Sequence, residues 1–489
     1  MDSIAKKNIP LKSKKHFPVK IIQFGEGNFL RAFIGDAIDQ LNTKSNFRGS
    51  IAVVQPLAEG TIHHLRQQSG AYTLFLNGIH HDKIQEEKRL LNSISVTNNP
   101  YTDYRAFLKL ARLDSIQFLV SNTTEAGISL HFEDTFSDKP PKSFPAKLTR
   151  WLWERFDYFN GSATSGLDIL PCELIDNNAH ELKKCILTLI MRWGLDDSFK
   201  DWILECNRFH NTLVDRIVPG YPKKNEAYYA EQLDYRDALM VVAEPYFLWV
   251  VESHGALKNE LPFDQTNCKV KFVSHLRPYR LRKVRILNGA HTTMVPISIP
   301  YGKHTVGETM SDPFTSEFIQ QTVRDEIIPT LPLDKKELLD YANAVFERFK
   351  NPFIEHQLQS IALNTISKFK VRVLPSIKAY YDQNGDYPPR LCFALGCLIR
   401  MYRGNWNHKT MPISDQPEVI AFFKTVWQQP NPMQVSKRVL ANTLLWGEDL
   451  SKWPKLNGII ASVLTTLDAN DIPTAFCVFR DLNNTINNE

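Results

Sequence analysis

A short apolar strand that runs into a glycine turn and then a helix is the feature that most constrains the fold. Lys20-Ile-Ile-Gln-Phe24 predicts a buried strand, and Gly25-Glu-Gly27 follows it directly. Apolar residues then recur at helical spacing from Leu30 to Leu41. Such glycines let a backbone approach the pyrophosphate of a dinucleotide at the N-terminus of a helix. Leu30 occupies the place of the usual third glycine, so a tight structural turn stays open as an alternative.

Strands and helices alternate up to about residue 275, which predicts a doubly wound α/β domain. Its second strand, Ile51-Ala-Val-Val54, ends at Gln55. NAD-specific folds often place a carboxylate there to bind the adenosine ribose. The uncharged amide of Gln55 can still bond a ribose, so this position does not decide between NAD and NADP.

Three later segments of this domain are also informative. Tyr72 to His80 predicts a hairpin with Asn77-Gly78 at its turn. Two polar loops, Ser121-Asn-Thr-Thr-Glu-Ala-Gly127 and Pro171-Cys-Glu-Leu-Ile-Asp-Asn-Asn178, each follow an apolar strand. Ligands of open α/β sheets bind beyond the carboxyl ends of the strands, so both loops are candidates for contacts with a cofactor or substrate.

The remainder of the chain predicts helices without clear strands. The amphipathic segments are 317–328, 335–349, 357–374, 390–402 and 416–427. We therefore expect an α/β plus all-α chain, with a Rossmann-type doubly wound domain at 1–275 and a mainly helical substrate or catalytic domain at 276–489. A length of 489 residues suits at least two domains.

The stretch Lys283-Val-Arg-Ile-Leu-Asn288-Gly-Ala-His291 opens the helical part and carries candidate chemistry. On an α-helix, Asn288 would lie roughly 140° and His291 roughly 80° around the axis from Lys283. A lysine near an amide and a neutral imidazole can exchange a proton with an alcohol or carbonyl. The alternative is a basic amphipathic helix whose charges face water, and the spacing alone favours that alternative.

Composition narrows the classes of function. The net charge of +5 is small, and no Lys/Arg cluster is interleaved with aromatic residues, so a nucleic-acid partner is not expected. No stretch approaches the ~18 apolar residues of a membrane span. The seven cysteines never form C-x-x-C, which argues against a thiolate metal site and suits a reducing compartment. The basic N-terminal segment lacks the apolar core of a signal peptide, so we expect a cytoplasmic protein. No obligate protein partner is evident from the sequence.

Four segments taken together resemble the polyol-specific long-chain dehydrogenases, the mannitol dehydrogenase family. They are Gly25-Glu-Gly-Asn-Phe-Leu-Arg-Ala32, Val214-Asp-Arg-Ile217, Ala243-Glu-Pro245 with Trp249, and Lys283-x4-Asn288-x2-His291. Further stretches, among them Arg348-Phe-x-Asn-Pro352, resemble the branch of this family that acts on hexuronates.

The resemblance implies a metal-independent, NAD-dependent dehydrogenase with a small sugar acid as its substrate. It assigns the catalytic lysine to Lys283, supported by Asn288 and His291, and places Lys368 and Asp215 near the substrate. The cofactor segment that it implies consists of Ile21, Ile22, Gln23, Phe24, Gly25, Glu26, Gly27, Asn28, Phe29, Leu30, Arg31 and Ala32.

Departures from the mannitol-type pattern concern the substrate. Leu174 stands where such enzymes have an asparagine, which Asn177 or Asn178 could replace. Ser360 stands in place of a substrate-binding arginine, and Arg280 in place of a carboxylate. These changes argue against mannitol and fit a substrate that brings its own carboxylate.

The candidate partners of that carboxylate are Lys368, Arg372 and Arg280, because cations, and bidentate arginine best of all, suit a carboxylate. Each could instead be a solvated surface charge. The other functions that stay open are the reduction of the hexuronate fructuronate, a hexitol dehydrogenase activity of the same family, and a non-catalytic sensor of NAD or a sugar acid.

Overall fold

The computed structural model describes residues 7–10, 17–80, 83–123, 127–428 and 431–487. Backbone contacts divide the chain into two units. The first contains residues 1–78 and 84–276, and the second contains residues 79–83 and 277–489. No helix among the described residues is long and apolar enough to cross a membrane.

Strands are concentrated in the first unit. In chain order they are β1 Val19–Phe24, β2 Ser50–Val54, β3 Tyr72–His80, β4 Lys83–Leu91, β5 Ile94–Asn98, β6 Phe118–Ser121, β7 Asp168–Pro171, β8 Arg208–Phe209, β9 Thr212–Asp215, β10 Val241–Ala243, β11 Leu248–Glu252 and β12 Lys269–Val273. The second unit adds the two-residue strands β13 Asn405–Trp406 and β14 Lys409–Thr410.

The main sheet has the strand order β5-β2-β1-β6-β7-β8, and all its neighbours are parallel. Counted along the chain, these six strands follow the order 3-2-1-4-5-6 of doubly wound dinucleotide-binding folds. The predicted Rossmann-type domain is therefore confirmed. The order reverses between β1 and β6, and ligands of such sheets bind beyond the carboxyl ends of the strands at this point.

Both faces of this sheet are buried. Ile21 of β1 packs into one core, whereas Ile22 and Phe24 pack into the core on the opposite face. A strand covered on both faces is a nearly continuous apolar run, which explains why β1 could be read from the sequence. The helical segments of this unit are Asn28–Leu30, the π-helix Arg31–Gly35, Asp36–Lys44, Ile62–Gln67, Tyr104–Leu110, Phe144–Tyr158, Ala163–Ser165, Asn178–Arg192, Asp197–Glu205, Lys223–Asn225, Glu226–Glu231, Leu257–Glu260 and Phe263–Gln265.

The predicted turn at Asn77-Gly78 is wrong, because both residues lie inside β3. The side chain of Asn77 is buried, and its Nδ2 donates a hydrogen bond of 2.9 Å to the hydroxyl of Tyr229. This bond supplies the partner that a polar amide needs within a buried strand. β3 lies between β10 and β4 in a second sheet, and β11 lies between β12 and β9 in a third.

The second unit is mainly helical, as predicted. Its described helical segments are Arg277–Arg282, the π-helix Lys283–Asn288, Gly289–Ser298, Val306–Ser311, Pro313–Gln321, the π-helix Thr322–Ile327, Ile328–Thr330, Lys335–Phe349, Leu358–Ile361, Thr365–Arg372, Leu374–Asn384, Pro389–Met401, Pro417–Val426, Pro432–Leu440, Thr443–Trp446, Leu450–Lys452, Leu456–Ala469 and Ile472–Asn487.

Candidate functional site

The glycine turn after β1 has the form of a dinucleotide cradle. Gly25 has a φ of +119°, and a Cβ there would lie 2.9 Å from the backbone oxygen of Asn122. Its N–H donates to the carbonyl of Val54 at 3.0 Å, which fixes the turn at the crevice of the sheet. A Cβ at Gly27 would meet no described atom within 4 Å. The turn therefore offers open space beside a helix N-terminus, as a bound pyrophosphate requires.

Arg31 holds this turn in shape. Its side chain is buried, and its Nε donates to the carbonyl of Glu26 at 3.1 Å. Its two terminal nitrogens donate to Asn28 Oδ1 and to the carbonyl of Leu239. Burial lowers the pKa of Arg31, and the nearby Tyr72, Asp237 and Glu26 oppose that effect. Arg31 is thus a brace for the glycine turn.

The other residues of the expected cofactor segment are either buried in the core or accessible at the surface. The side chains of Ile21, Ile22, Phe24, Leu30 and Ala32 are buried in the two cores of the sheet. Gln23 is also buried, and its Nε2 donates to the carbonyl of Gly25 at 2.8 Å. Glu26, Gly27, Asn28 and Phe29 keep partial or full exposure. These four residues form the accessible part of the segment.

Gln55 does not have the role that its position suggested. Its side chain is only 1% exposed. Its Nε2 donates to the carbonyls of Leu57 and Ala58 at 2.8 and 3.1 Å, and its Oε1 accepts from the N–H of Ile62 at 3.3 Å. The expectation that Gln55 can bond a ribose is therefore wrong, because the loop after β2 already uses both ends of its amide.

The two polar loops are held together by Glu173. This buried carboxylate accepts hydrogen bonds of 3.0 Å from Ser121 Oγ and from both the N–H and the hydroxyl of Thr123. Burial raises the pKa of Glu173, and these donors oppose the shift. Asn178 bonds the backbone at Pro171, Glu173 and Thr212, so its amide is used within the fold. Residues 124–126 lie outside the described part of the chain.

Asp215 ends strand β9 and is buried. The neighbouring Arg216 points into the fold, where its Nη1 donates to Asp36 Oδ2 at 2.8 Å and its Nε to the carbonyl of Glu244 at 3.0 Å. The carboxylate of Glu244 in turn accepts from the N–H of Ile217 at 2.5 Å. The Val-Asp-Arg-Ile and Ala-Glu-Pro segments therefore contact each other, and Arg216 serves the structure of the first unit.

In the second unit, the residues 277–298 form three successive helical segments that we call the site helix. Its middle segment, Lys283–Asn288, is a π-helix, and Gly289 N–H donates to the carbonyl of Val284 five residues earlier. A turn that closes over five residues is wider than an α-helical turn, so it changes the angle between Lys283 and Asn288 around the helix axis. The predicted angle of roughly 140° assumed α-helical geometry, and that assumption does not hold for this segment.

His291 is the most buried member of the motif. It is 7% exposed, its ring lies 4.3 Å from that of Phe349 and 4.9 Å from that of His356, and its Nε2 has no hydrogen-bond partner among the described residues. Burial lowers the pKa of His291 well below its ordinary value, and the positive charges of His356, Arg348 and Arg372 add to the shift. His291 is therefore a neutral imidazole whose Nε2 can bond an alcohol or ketone oxygen.

The helix Thr365–Arg372, here called the cation helix, packs beside the site helix. Arg372 Nη1 donates to Thr292 Oγ1 at 3.4 Å, and Thr292 Oγ1 donates to the carbonyl of Asn288 at 2.9 Å. Lys368 Nζ donates to the carbonyl of Ile361 at 2.9 Å. The cation helix thus brings Arg372 to the motif, and Lys368 lies one turn before Arg372 on the same helix.

These cations are partly shielded from water. Burial lowers the pKa of Arg372. The pKa of Lys368 is lowered by burial and by Arg372, and Asp415 opposes this effect. Arg280 and Lys283 lie on the site helix and are partly buried, and burial lowers the pKa of Arg280. The neighbourhood of His291 is therefore positively charged, which suits an anionic ligand.

The sequence reasoning missed two residues near His291. Arg348, which is 6% exposed, belongs to a segment that supported the family resemblance but was given no role. His356 follows that segment in a loop, where no motif marks it. Both residues come close to His291 only when the unit is folded, so the sequence does not show their proximity.

The comparisons with known proteins account for both units. Residues 19–265 match the family model described as the mannitol dehydrogenase Rossmann domain, and residues 275–468 match the mannitol dehydrogenase C-terminal domain. The chain belongs to the mannitol dehydrogenase family. The resemblance stated from its motifs is thereby confirmed, and a nicotinamide cofactor fits a member of this family.

Relatives within the mannitol dehydrogenase family are similar over nearly their whole length. The chain is 45% identical over 450 residues to altronate oxidoreductase of Bacillus subtilis, which is 92% of each protein. It is 42% identical over 473 residues to altronate oxidoreductase of Yersinia enterocolitica, which is 96% of this chain and 97% of the relative.

Two solved structures share the fold of this mannitol dehydrogenase family member. One is Pseudomonas fluorescens mannitol 2-dehydrogenase in a ternary complex with NAD and D-mannitol, at 22% identity, 95% coverage of each chain and a TM-score of 0.67. The other is D-sorbitol dehydrogenase in substrate-free form, at 20% identity, with 94% of this chain and 95% of that chain covered and a TM-score of 0.80.

Proposed function

We propose that this chain is an NAD-dependent oxidoreductase that interconverts D-tagaturonate and D-altronate in hexuronate (galacturonate) catabolism. The relatives that bear the name altronate oxidoreductase support this substrate. The structural observation that carries the proposal is the buried, neutral His291, whose free Nε2 lies in a positively charged neighbourhood on the same helix as Lys283 and Asn288. A ketone that carries its own carboxylate fits this combination.

In the reductive direction, Lys283 donates a proton to the oxygen of the ketone as it becomes an alkoxide. Asn288 and the Nε2–H tautomer of His291 donate hydrogen bonds to the same oxygen and stabilise its developing charge. A nicotinamide cofactor held by the segment 21–32 would supply the hydride. Lys283 accepts the proton back when the reaction runs as an oxidation, and we assign no metal ion to the site.

The segment 21–32 would hold the dinucleotide, with Gly25 and Gly27 next to the pyrophosphate. The open space at Gly27 and the positive φ of Gly25 support this assignment. We assign the binding of NAD, rather than NADP, to residues 1–275 and the binding of the sugar acid to residues 276–489, with Asp215 added to the substrate site. We place the reaction in the cytoplasm.

We assign the substrate carboxylate to Arg372, with Lys368 beside it and Arg280 as the third cation. Two observations support Arg372. It donates a hydrogen bond to Thr292 of the site helix, and its charge lowers the pKa of His291. A guanidinium can bind a carboxylate with two parallel hydrogen bonds.

The test is the loss of NADH absorbance with D-tagaturonate, compared with D-fructuronate and D-fructose, and repeated with NADPH. The proposal expects turnover with tagaturonate and NADH. Faster turnover of fructuronate would make the protein a fructuronate reductase, and faster turnover of fructose would make it a hexitol dehydrogenase. Dinucleotide binding without reduction of any of these ketones would favour a non-catalytic sensor.

A further inference from the structure

A carboxylate of the glycine turn reaches the loop that follows β2. Glu26 belongs to the glycine turn, yet its Oε1 accepts a hydrogen bond of 3.3 Å from the N–H of Thr61. The carboxylate therefore reaches across from the end of β1 to the loop that follows β2. Gln55, at the end of β2, is buried and has its amide fully engaged within that loop.

Gly60 makes this approach possible. A methyl group at position 60 would lie 2.2 Å from Glu26 Oε1 and 2.5 Å from Gln55 Oε1. Contacts this short do not occur, so a side chain at position 60 would displace one of the two polar groups. The loop is thus shaped around the Glu26 carboxylate and not merely close to it.

The surroundings of Glu26 leave its carboxylate able to accept further hydrogen bonds. Burial raises the pKa of Glu26, while the N–H groups of its own residue and of Thr61 and the charge of Arg31 act against that rise. The N–H groups of Glu26 itself and of Thr61 leave this carboxylate with capacity for further hydrogen bonds, because two oxygens offer about four acceptor positions. The hydroxyl groups of a ribose are donors of the required kind.

We propose that Glu26 is the carboxylate that recognises the adenosine ribose of the cofactor and discriminates against a 2′-phosphate. In Rossmann-type folds this task usually falls to an acidic residue at the end of β2, which is Gln55 here. Glu26 supplies the charge from the glycine turn instead. It accepts hydrogen bonds from the ribose hydroxyls of NAD and repels the additional phosphate of NADP. This inference rests on the proposed function, because it assigns a role within the NAD site.

The experiment is a titration of the full chain with NADH and with NADPH, in the absence of any sugar acid, followed by the fluorescence of the dinucleotide. The variant is Glu26→Gln, which keeps an oxygen acceptor for the N–H of Thr61 and removes the charge. The matched control is Glu59→Gln, which removes the same charge from an exposed residue of the same loop. Both variants change the net charge equally, so a difference between them reports the position of Glu26 and not the total charge of the protein.

We expect Glu26→Gln to weaken NADH binding and to tighten NADPH binding, so that the ratio of the two dissociation constants changes by about tenfold or more, as the loss of one close interaction between like charges would give. Glu59→Gln should leave the ratio as in the wild type. An unchanged ratio in Glu26→Gln, or a shift confined to Glu59→Gln, would overturn the role of Glu26 while the oxidoreductase proposal stands. Failure of the wild type to bind either dinucleotide would overturn the proposed function itself.

Discussion

The imidazole rings of His291 and His356 lie 4.9 Å apart between centroids and meet at 76°. Burial lowers the pKa of both rings, and the charge of His356 would add to the shift at His291. Two protonated rings at this separation would repel each other in a poorly solvated place. Both rings therefore favour the neutral form, and the contact proposed between His291 and the substrate oxygen would be made by an uncharged imidazole.

This relationship predicts that acid destabilises the folded protein. The unfolded chain binds protons at these histidines below an ordinary pKa of about 6.5, whereas the folded chain resists them, so the free energy of unfolding falls as the pH falls. Each such proton contributes about 1.4 kcal/mol per pH unit. We expect His291→Asn to make the loss of stability between about pH 6.5 and 5 shallower than in the wild type, as measured by chemical denaturation at each pH.

The control for this prediction is His304→Asn, which changes an exposed histidine of the same unit. It should leave the dependence of stability on pH close to that of the wild type. Equal slopes for His291→Asn and the wild type would show that His291 is protonated in the folded state.

A second prediction concerns Lys283. Replacement by alanine removes the proton donor, and general acid–base catalysis contributes about 10²–10⁴-fold, so kcat should fall by that factor. The affinity for NADH, measured by titration, should stay near the wild-type value. Lys350→Ala, at an exposed lysine of the same unit, should keep full activity. A near wild-type kcat in Lys283→Ala would rule out the assignment.

Apolar patterns predicted much of the fold because buried elements repeat at fixed spacing. The helix Lys335–Phe349 matches its predicted bounds, and β1 differs from the predicted strand by one residue. The predicted helix 357–374 is instead divided, because Asn364 adopts a φ of +51° before Thr365–Arg372. Apolar residues continue at helical spacing across this position, so the pattern does not reveal the break.

The candidate site was predictable only where it lies in one segment. Lys283, Asn288 and His291 could be named because their residue types fit the chemistry and because the family resemblance assigns them roles, and those roles stay predictions. The π-turn between Lys283 and Asn288 depends on backbone hydrogen bonds, which the spacing of side chains does not report. Arg348 and the carboxylate of Glu26 act on groups distant in the sequence, and such contacts are set by tertiary packing.

A third prediction separates two glycines of the cofactor turn. Gly25→Ala should destabilise the free chain by about 1–3 kcal/mol, since its φ of +119° and the nearby oxygen of Asn122 oppose a side chain. Gly27 has φ −64° and ψ 169°, which alanine adopts freely, and open space beside it. Gly27→Ala should therefore keep the wild-type Tm and lose affinity for NADH. A normal NADH affinity in Gly27→Ala would place the pyrophosphate elsewhere.

The last prediction identifies the partner of the substrate carboxylate. Single glutamine variants of Arg372, Lys368 and Arg280 should be compared by kcat/KM for D-tagaturonate and for the uncharged ketose D-fructose. A hydrogen bond to a charged group contributes about 1.5–3 kcal/mol, so Arg372→Gln should lower kcat/KM for tagaturonate by roughly 10–100-fold. Its effect on kcat/KM for fructose should be small, because fructose has no carboxylate for Arg372 to bind. Equal losses with both ketones would mean that Arg372 only positions Asn288 through Thr292. If Lys368→Gln or Arg280→Gln gave the larger loss with tagaturonate alone, that residue would be the partner of the carboxylate.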